Sequence, residues 1–515
     1  MSLSSMTRLD RAISYFAPGW GEKRATARNR IARMAATRNL YDAASISRRT
    51  QGWRAVGTDA NAETQMAQGR IRDVARDMVR NNAYAARAKM LIGQNVVGTG
   101  IMPNVRSTRP ERAAQIKALL DRHFDSTDID ADGNNNLYGL QELIVGTVAE
   151  AGECLVRKRP RRAEDGYALP FQIQVLEPDF IDSSVDGRLS NGNTAVQGVE
   201  FDLRGKRVAY YLFDQHPGAM ASGMLRSTRG QRVSADFIAH VYRVDRPGQV
   251  RGVSWFAPVI VRMRDFADYT DAQLMRQKIA ACFSAFITTR DDGNGATNED
   301  GSPLETTPSG FDIEQMEPGM IWRGGEGEDV KFATPPTTSD FQPYSQVTLH
   351  EIAAGLGISH ESFTGDWSGV NYSSGRLGRI DFDRSIESWQ WNMLIPQFHG
   401  PLQRWTREFA YVATGSTEPF TLGWTPPRRV MIDPETEIRG SQAAIRAGLA
   451  SRSGEIRRNG EDPAEVTSQI IADNAGADEQ GLIFDSDPRK TTSRGVLQKD
   501  ADPNAPDEAP AEATA

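Results

Sequence analysis

The stretch IRDVARDMVRNNAYAARAKMLIGQNVVGTGI, residues 71–101, decides how the rest of the chain is read. Ile71, Val74 and Met78 fall on one helical face, and the pattern runs on past Asn81 and Asn82 through Ala86 and Met90 until Gly98 and Gly100 stop it. The spacing predicts one long helix. Two shorter helices are expected after it, over 111–124 and 138–150, the second with Leu140, Leu143, Ile144, Thr147 and Val148 as its buried stripe and Gly152 as its stop. A strand-rich block follows. Phe171, Ile173 and Val175 alternate with Gln172 and Gln174, the period of a half-buried strand, and 208–213 and 237–243 extend the sheet.

Beyond that block another long helix is expected over 255–287, with Pro258 tolerated in its first turn. Residues 288–335 are turn-rich around strand candidates at 320–323 and 330–333 and read as a small β-containing insertion. A helix over 341–354 leads into a Gly- and Ser-rich stretch, 355–375. A second very long helix then starts near Ser374, with Phe382, Ile386, Trp389 and Met393 on one face and kinks at Pro396 and Pro401. Short helices at 437–448, 453–459 and 463–474 follow. The expected fold class is α+β, without a repeat of 20 to 50 residues.

Composition narrows the function. The 515 residues are 39% hydrophobic and 25% charged, enough apolar content for real cores in two to four domains. The longest apolar run, 279–287, falls far short of the roughly 18 residues that a membrane span needs. No signal-peptide h-region is present near residue 1, and Cys154 and Cys282, the two cysteines, build neither a disulfide framework nor a metal site by themselves. Sixty basic against 67 acidic residues leave a net charge of −7, which argues against a protein that grips nucleic acid by neutralising many phosphates. Only nine of the basic residues are Lys, a bias that GC-rich coding explains more simply than phosphate recognition. Charge is placed unevenly: residues 1–54 hold 11 basic and three acidic residues, a basic arm with a helical stretch at 24–40, whereas 500–515 hold five acids and no base and read as disordered.

The constellations of common enzymes are missing. There is no GxxxxGK[ST] loop, HExxH, GxSxG or CxxC, and His350-Glu351 and His360-Glu361 lack a histidine partner at i+4. Asp128, Asp130, Asp132 and Gly133 match the first half of an EF-hand loop, but its twelfth position is Gly139 instead of Glu, so a connector whose Asp and Asn side chains cap their own backbone is the better reading. Trp389, Trp391, Arg404 and Trp405 have the helical spacing of core more than of a base-stacking platform. The acids of EPDFIDSSVDGR, 177–188, lack the following Lys-bearing strand of a metal nuclease. No cofactor or metal is assigned.

The quoted stretch, VLEPDFID (175–182), RPGQVRGVSWFAPVI (246–260) and IAAGLGISHESFTGDWSGVNYSSGR (352–376) together resemble the lambda-type tailed-bacteriophage portal proteins, in the same order over roughly 20–480. The segment around DADG is similar to that family's turn before a helix. The resemblance implies a portal fold assembled as a cyclic ring. Its parts are a basic arm (1–60), a wing (61–254), stem helices (255–287 and 336–357) flanking a clip (288–335), a tunnel loop (358–375), a long kinked wing helix and return (376–432), a crown (433–480) and an acidic tail (481–515). It implies a ring, usually of twelve subunits, at one capsid vertex, carrying double-stranded DNA in and out. Its implied partners are the terminase large subunit, head-tail connector proteins, and the major capsid and scaffolding proteins, with no membrane.

Carried onto this sequence, the channel loop would present Asp366, Trp367, Ser368, Asn371 and Arg376 to DNA, and the clip would present Arg290, Asp291, Asp292, Arg323 and Lys331 to the motor or connector. Arg376 and Arg379 alternatively pair with Asp381 and Asp383, and Trp367 alternatively packs on a neighbouring subunit. Arg80, Asn81, Asn82, Gly98, Gly100 and Gly252 read as structural, the polar ones for buried hydrogen bonds and the glycines for turns. Location in the virion, with the host cytoplasm during assembly, follows from the same resemblance. Two other readings stay open: a metal-dependent nucleic-acid enzyme using the acids at 128–132 or 177–186, and a tail or baseplate structural protein.

Overall fold

The computed structural model describes residues 56–219, 229–281, 341–429 and 433–484, the strand backbones 285–289 and 328–332, and isolated pieces before 54 and after 484. Residues 1–59 form a unit of their own, of which short pieces such as the edge-on Tyr15 and Phe16 pair are described. The arm helix expected over 24–40 lies largely outside the described residues, as do strand 320–323 and the acidic end beyond 490.

The second unit begins with α1 (Ala60–Gln65), and the expected long helix is in fact two, α2 (Gln68–Asn81) and α3 (Ala83–Val97). Asn82 breaks it. Its backbone is extended (φ −118°, ψ 122°), and its side chain accepts the N–H groups of Tyr84 and Ala85, the bonds of an N-cap. Ala85, Ala88, Ile92 and Val96 are buried, while Ala86 and Met90 face solvent.

Strand β1 (Met102–Arg106) leads to α4 (Pro110–Phe124) and α5 (Leu137–Ala151). The α5 stripe is turned from the expected one: Leu140, Ile144, Val145, Val148 and Ala149 are buried and Leu143 is exposed. Each such large apolar side chain stabilises the fold by roughly 1.5 to 3 kcal/mol. Between α4 and α5, the Asp130 carboxylate accepts the N–H groups of Asp132, Asn134 and Asn135, and Asn136 caps α5 through Gly139. The EF-hand half-motif is thus a backbone-capping connector.

Strands β2 (Glu153–Pro160), β3 (Phe171–Leu176) and β9 (Ile238–Tyr242) form an antiparallel sheet in the order β3-β2-β9. Gln172 is buried here, so β3 is covered more fully than its alternation suggested. A five-stranded meander is built from β4 (Gly187–Arg188), β5 (Thr194–Val196), β6 (Val199–Phe201), β7 (Arg207–Leu212) and β8 (Gln231–Ser234).

A buried ionic knot fastens the helices to this block. Glu153 accepts from Gln68 Nε2 (2.8 Å), Arg251 Nε (2.8 Å) and Nη2 (2.6 Å), the Gly252 N–H (2.8 Å) and His240 Nε2 (2.9 Å). Burial alone pushes its carboxyl up, but the Arg251 guanidinium and the His240 N–H hold it well below the usual carboxylate range. Gly252 is obligatory at the knot: a Cβ there would lie 2.1 Å from the Gly152 carbonyl oxygen.

The helix expected over 255–287 starts later and stops earlier than the sequence suggested. Trp255, Phe256 and Val259 are core residues in tight turns, with the Trp255 N–H donated to Ala149, and α6 runs over Ile260–Ala281. Past it, β10 (Ala285–Thr289) pairs antiparallel with β11 (Glu328–Phe332), because a run of β-branched and aromatic residues suits a strand better than a helix end. Helices α7 (Phe341–Leu356), α8 (His360–Thr364) and α9 (Tyr372–Trp389) follow. As expected, Phe382, Ile386 and Met393 are buried on one face.

At the prolines the helix widens into a π-helical segment, Gln390–His399, before α10 (Gly400–Thr414). Pro396 has no N–H to donate and its ring crowds the carbonyl four residues back, and the wider turn relieves both. Pro401 sits in the first turn of α10, where a missing N–H costs nothing. Strand β12 (Thr421–Thr425) returns the chain to β1, antiparallel, and α11 (Pro434–Arg446), α12 (Arg452–Arg458) and α13 (Pro463–Gln480) close the described chain.

Candidate functional site

The loop between α8 and α9 is made by local polar chemistry. Ser359 precedes the short α8, and Gly365 ends it in left-handed backbone (φ 75°). The Asp366 carboxylate accepts both the N–H (3.0 Å) and the hydroxyl (2.6 Å) of Ser368, and the Ser368 bonds hold that carboxyl below its usual range. Asn371 caps α9 by accepting the Ser374 N–H (2.8 Å), and Ser374 Oγ accepts the Asn371 N–H in return (3.1 Å). Ser368 and Asn371 are exposed and also make bonds within the loop itself. Trp367 and Tyr372 are more than half exposed, and Arg376 faces solvent one turn into α9.

The loop is rooted in the core at Phe363, which is fully buried and packs on Tyr84 (5.4 Å between ring centroids). Arg87 Nε donates to the Ser362 carbonyl (2.9 Å), a second tie to α3. Beneath the loop, His350 on α7 and His360 on α8 stack face to face, 3.5 Å apart and 11° from parallel. Burial, then the neighbouring His350, pushes the His360 imidazole down. The two rings were set aside as ligands in the sequence, and here they pack one helix on the next.

Trp367, Val370, Tyr372, Phe382, Arg376 and Arg428 wall a cleft of about 670 Å³ under the loop. A second cleft of about 770 Å³ adjoins it and shares Arg376, Arg379, Arg428 and Arg429. Arg379 pairs with Asp383 (3.7 Å), as one of its two sequence readings held, and Arg429 also pairs with Asp383 while donating to Asn95 Oδ1 (2.6 Å). Arg376 does not reach Asp381 or Asp383; the acid near it is Asp433. Arg428 and Arg429 were missed in the sequence, although PPRR at 426–429 is a compact signal: two prolines hold the backbone extended just where β12 delivers it beside β1.

Of the residues expected in a clip, Arg290, Asp291, Asp292 and Arg323 lie outside the described residues, and Lys331 is placed only as a backbone position in β11. Arg80, expected in a buried hydrogen bond, is exposed, and Asn81 donates to Asp77 (2.8 Å) on the surface of α2.

The acids at 177–186 have a different use from a metal nuclease. Asp179 accepts from Arg76 (2.5 Å) and Arg72 (3.0 Å), and Glu177 lies 3.0 Å from both Arg76 and His216 Nε2. Ligand atoms of Glu177, Asp179 and His216 do lie within 4.8 Å of one another. Two guanidinium groups already fill that space with positive charge, so these carboxylates clamp α2 to the sheet block. Among the described residues no helix is long and apolar enough to cross a membrane.

Comparison with known proteins places these features in a family. The model for "Phage portal protein, lambda family" matches residues 46–390. A probable portal protein of Halomonas phage phiHAP-1 is 26% identical over 431 residues, covering 78% of this chain and 79% of the relative. Portal protein B of Escherichia phage lambda is 23% identical over 484 residues, covering 82% and 89%. A chain in the virion of a native gene transfer agent particle is similar at 16% identity and a TM-score of 0.42, over 83% of this chain and 99% of that one.

Proposed function

This chain belongs to the lambda family of phage portal proteins, and we propose that it forms a closed ring at one vertex of the capsid through which double-stranded DNA is packaged and later released. The observation that carries the reading is the family match across 345 consecutive positions, 46–390, which takes in both stem helices and the loop at 365–371. In this reading the ring is non-catalytic. The terminase large subunit drives the DNA and docks first, head-tail connector proteins replace it, and the major capsid and scaffolding proteins surround the wing. The segment 288–335 is the docking clip.

The net charge of −7 per chain supports a conduit and not a trap. A ring of like-charged subunits repels the duplex on average, which lowers phosphate sticking along the passage. Asp366, Trp367, Ser368, Asn371, Tyr372 and Arg376 are all exposed in the loop region, and Trp367, Tyr372 and Arg376 are the bulkiest of them, which we assign to the channel wall. Asp366, Ser368 and Asn371 shape the loop that carries them.

The ring is tested by native mass spectrometry and negative-stain class averages of the purified chain. A mass near twelve times 56.7 kDa with an axial hole wide enough for a duplex of about 20 Å is expected. A persistent monomer or dimer across salt and concentration would sink the conduit. The loop needs its own test, and here the structure sets the limits. Removing 363–371 would take out the buried Phe363 and disturb the core, so the informative variant replaces 366–370 with five glycines. Rings of unchanged subunit number that fail to package or retain DNA are expected. Loss of the ring in that variant would instead make the loop an assembly element.

A further inference from the structure

We propose that the arginine-lined cleft beside α9, α11 and α12 is a docking site for the chain's own acidic segment, residues 500–515. The cleft holds about 770 Å³ and carries seven arginines against four carboxylates, in a chain that is acidic overall. Arg379 and Arg429 are engaged by Asp383, and Arg458 by Glu455. Arg106, Arg376, Arg428 and Arg457 are exposed and, among the described residues, make no ion pair within 4.0 Å. Arg376 feels Asp433, but four guanidinium groups around one concavity still repel one another, and a chain of carboxylates is the ligand that relieves this and offers each a bidentate partner.

The segment supplies that chemistry. Asp500, Asp502, Asp507, Glu508 and Glu512 are its only charged residues, separated by alanines and by Pro503, Pro506 and Pro510. The cleft floor is partly apolar, with Ile380, Trp391, Trp424 and Met431 among its lining, which suits Ala and Pro side chains better than a sugar-phosphate backbone. A duplex about 20 Å across does not enter such a concavity.

Reach is sufficient. Lys490 is pinned to Asp478 near the end of α13, whose start at Pro463 follows closely on Asn459 in the cleft wall. Fifteen helical residues from 463 to 478 span about 22 Å. The ten residues from 490 to 500 stretch to about 33 to 36 Å. The docking therefore closes within one chain. Occupied in this way, the arginines are withheld from passing phosphates; that consequence rests on the conduit reading, and the docking does not.

The test compares the full chain with a variant ending at Lys499, by phenylglyoxal modification read residue by residue with mass spectrometry. At about 50 mM salt, Arg376, Arg428 and Arg457 are expected to react at least about threefold more slowly in the full chain, with Arg188 on the wing unchanged as the reference. The protection should vanish near 500 mM salt and return to the shortened chain on adding a synthetic peptide of residues 499–515. Equal rates in the two chains overturn the proposal. So does protection of the shortened chain by a short DNA duplex but not by the peptide, which assigns the cleft to phosphate. The mass of each sample is read alongside, so a missing ring and an empty cleft are told apart.

Discussion

Glu153 carries its charge where water does not reach, and five N–H donors from α2, β9 and the 251–252 turn converge on it. An ion pair so placed contributes little against an apolar substitute, yet removing one partner strands the other, at a cost of about 3 to 5 kcal/mol. Glu153→Gln is therefore expected to destabilise the fold by about 3 kcal/mol. The pair Glu153→Leu with Arg251→Met should cost less than the sum of its single changes, by about 2 kcal/mol. Urea midpoints of the four proteins check this, and strict additivity would refute the coupling. Gly252 is structural, as the family resemblance implied, but for the close approach of the Gly152 carbonyl and not for a turn. The sequence could not reveal Glu153 and Arg251 as partners, since they stand 98 positions apart and no periodicity connects them.

Helix boundaries show where periodicity misleads. The buried positions Met78, Ala85, Ala88 and Ile92 keep helical spacing through Asn82, so a reading of period alone runs straight across the break. The signal that does mark it is chemical: Asn is among the best N-caps, and two successive Asn residues in an otherwise good helix argue for a stop. Asn82→Ala is expected to lower stability by about 1 kcal/mol and Asn82→Ser to restore most of it, read as shifts in the urea midpoint. An Ala variant as stable as the parent would mean that packing of α2 on α3 fixes the break without the cap. The late start of α6 has a similar origin. Trp255, Phe256 and Val259 look like the first turn of an amphipathic helix, but all three are buried, and the chain turns tightly to bury them. Strands β3, β7 and β9 and the terminal helices were easier to read, because alternation and caps such as Asp433 and Asp462 are written locally, whereas β2, the longest described strand, carries no such alternation and was missed.

At the scale of the molecule, the loop expected over 358–375 narrows to 365–371, because His360–Thr364 forms α8 and α9 begins at Tyr372, and the arginine clefts were not legible, since β1, α9 and the 426–429 loop meet there only through the β1–β12 pairing. Equally invisible in the sequence is that three of the six histidines are sealed in the core. Burial pushes the imidazoles of His123 and His240 down to about 4 and that of His399 to about 3, although Glu153 pulls His240 the other way. The unfolded chain takes up these protons near pH 6.5, and the folded chain does not until the lower values. More protons are bound in the unfolded state across that window, so stability rises with pH there: it is full above about 6.5 and lost as the pH falls toward 4. Each histidine can contribute up to about 1.4 kcal/mol per pH unit in the steep part. The low carboxyls of Glu153 and Asp179 begin to weaken the fold as the pH falls through the ordinary carboxylate range, where the unfolded chain takes up their protons first, so above about pH 5 the fall belongs to the histidines. Thermal unfolding between pH 7.5 and 5.0, at one protein concentration so that assembly contributes equally, should show a fall beginning near 6.5. His399 lies against Trp424 and Phe398 as an aromatic ring would, and His399→Phe is expected to flatten the fall by about one third while preserving the packing. An unchanged slope in that variant would show that His399 is protonated in the folded chain, with a partner that neutralises it.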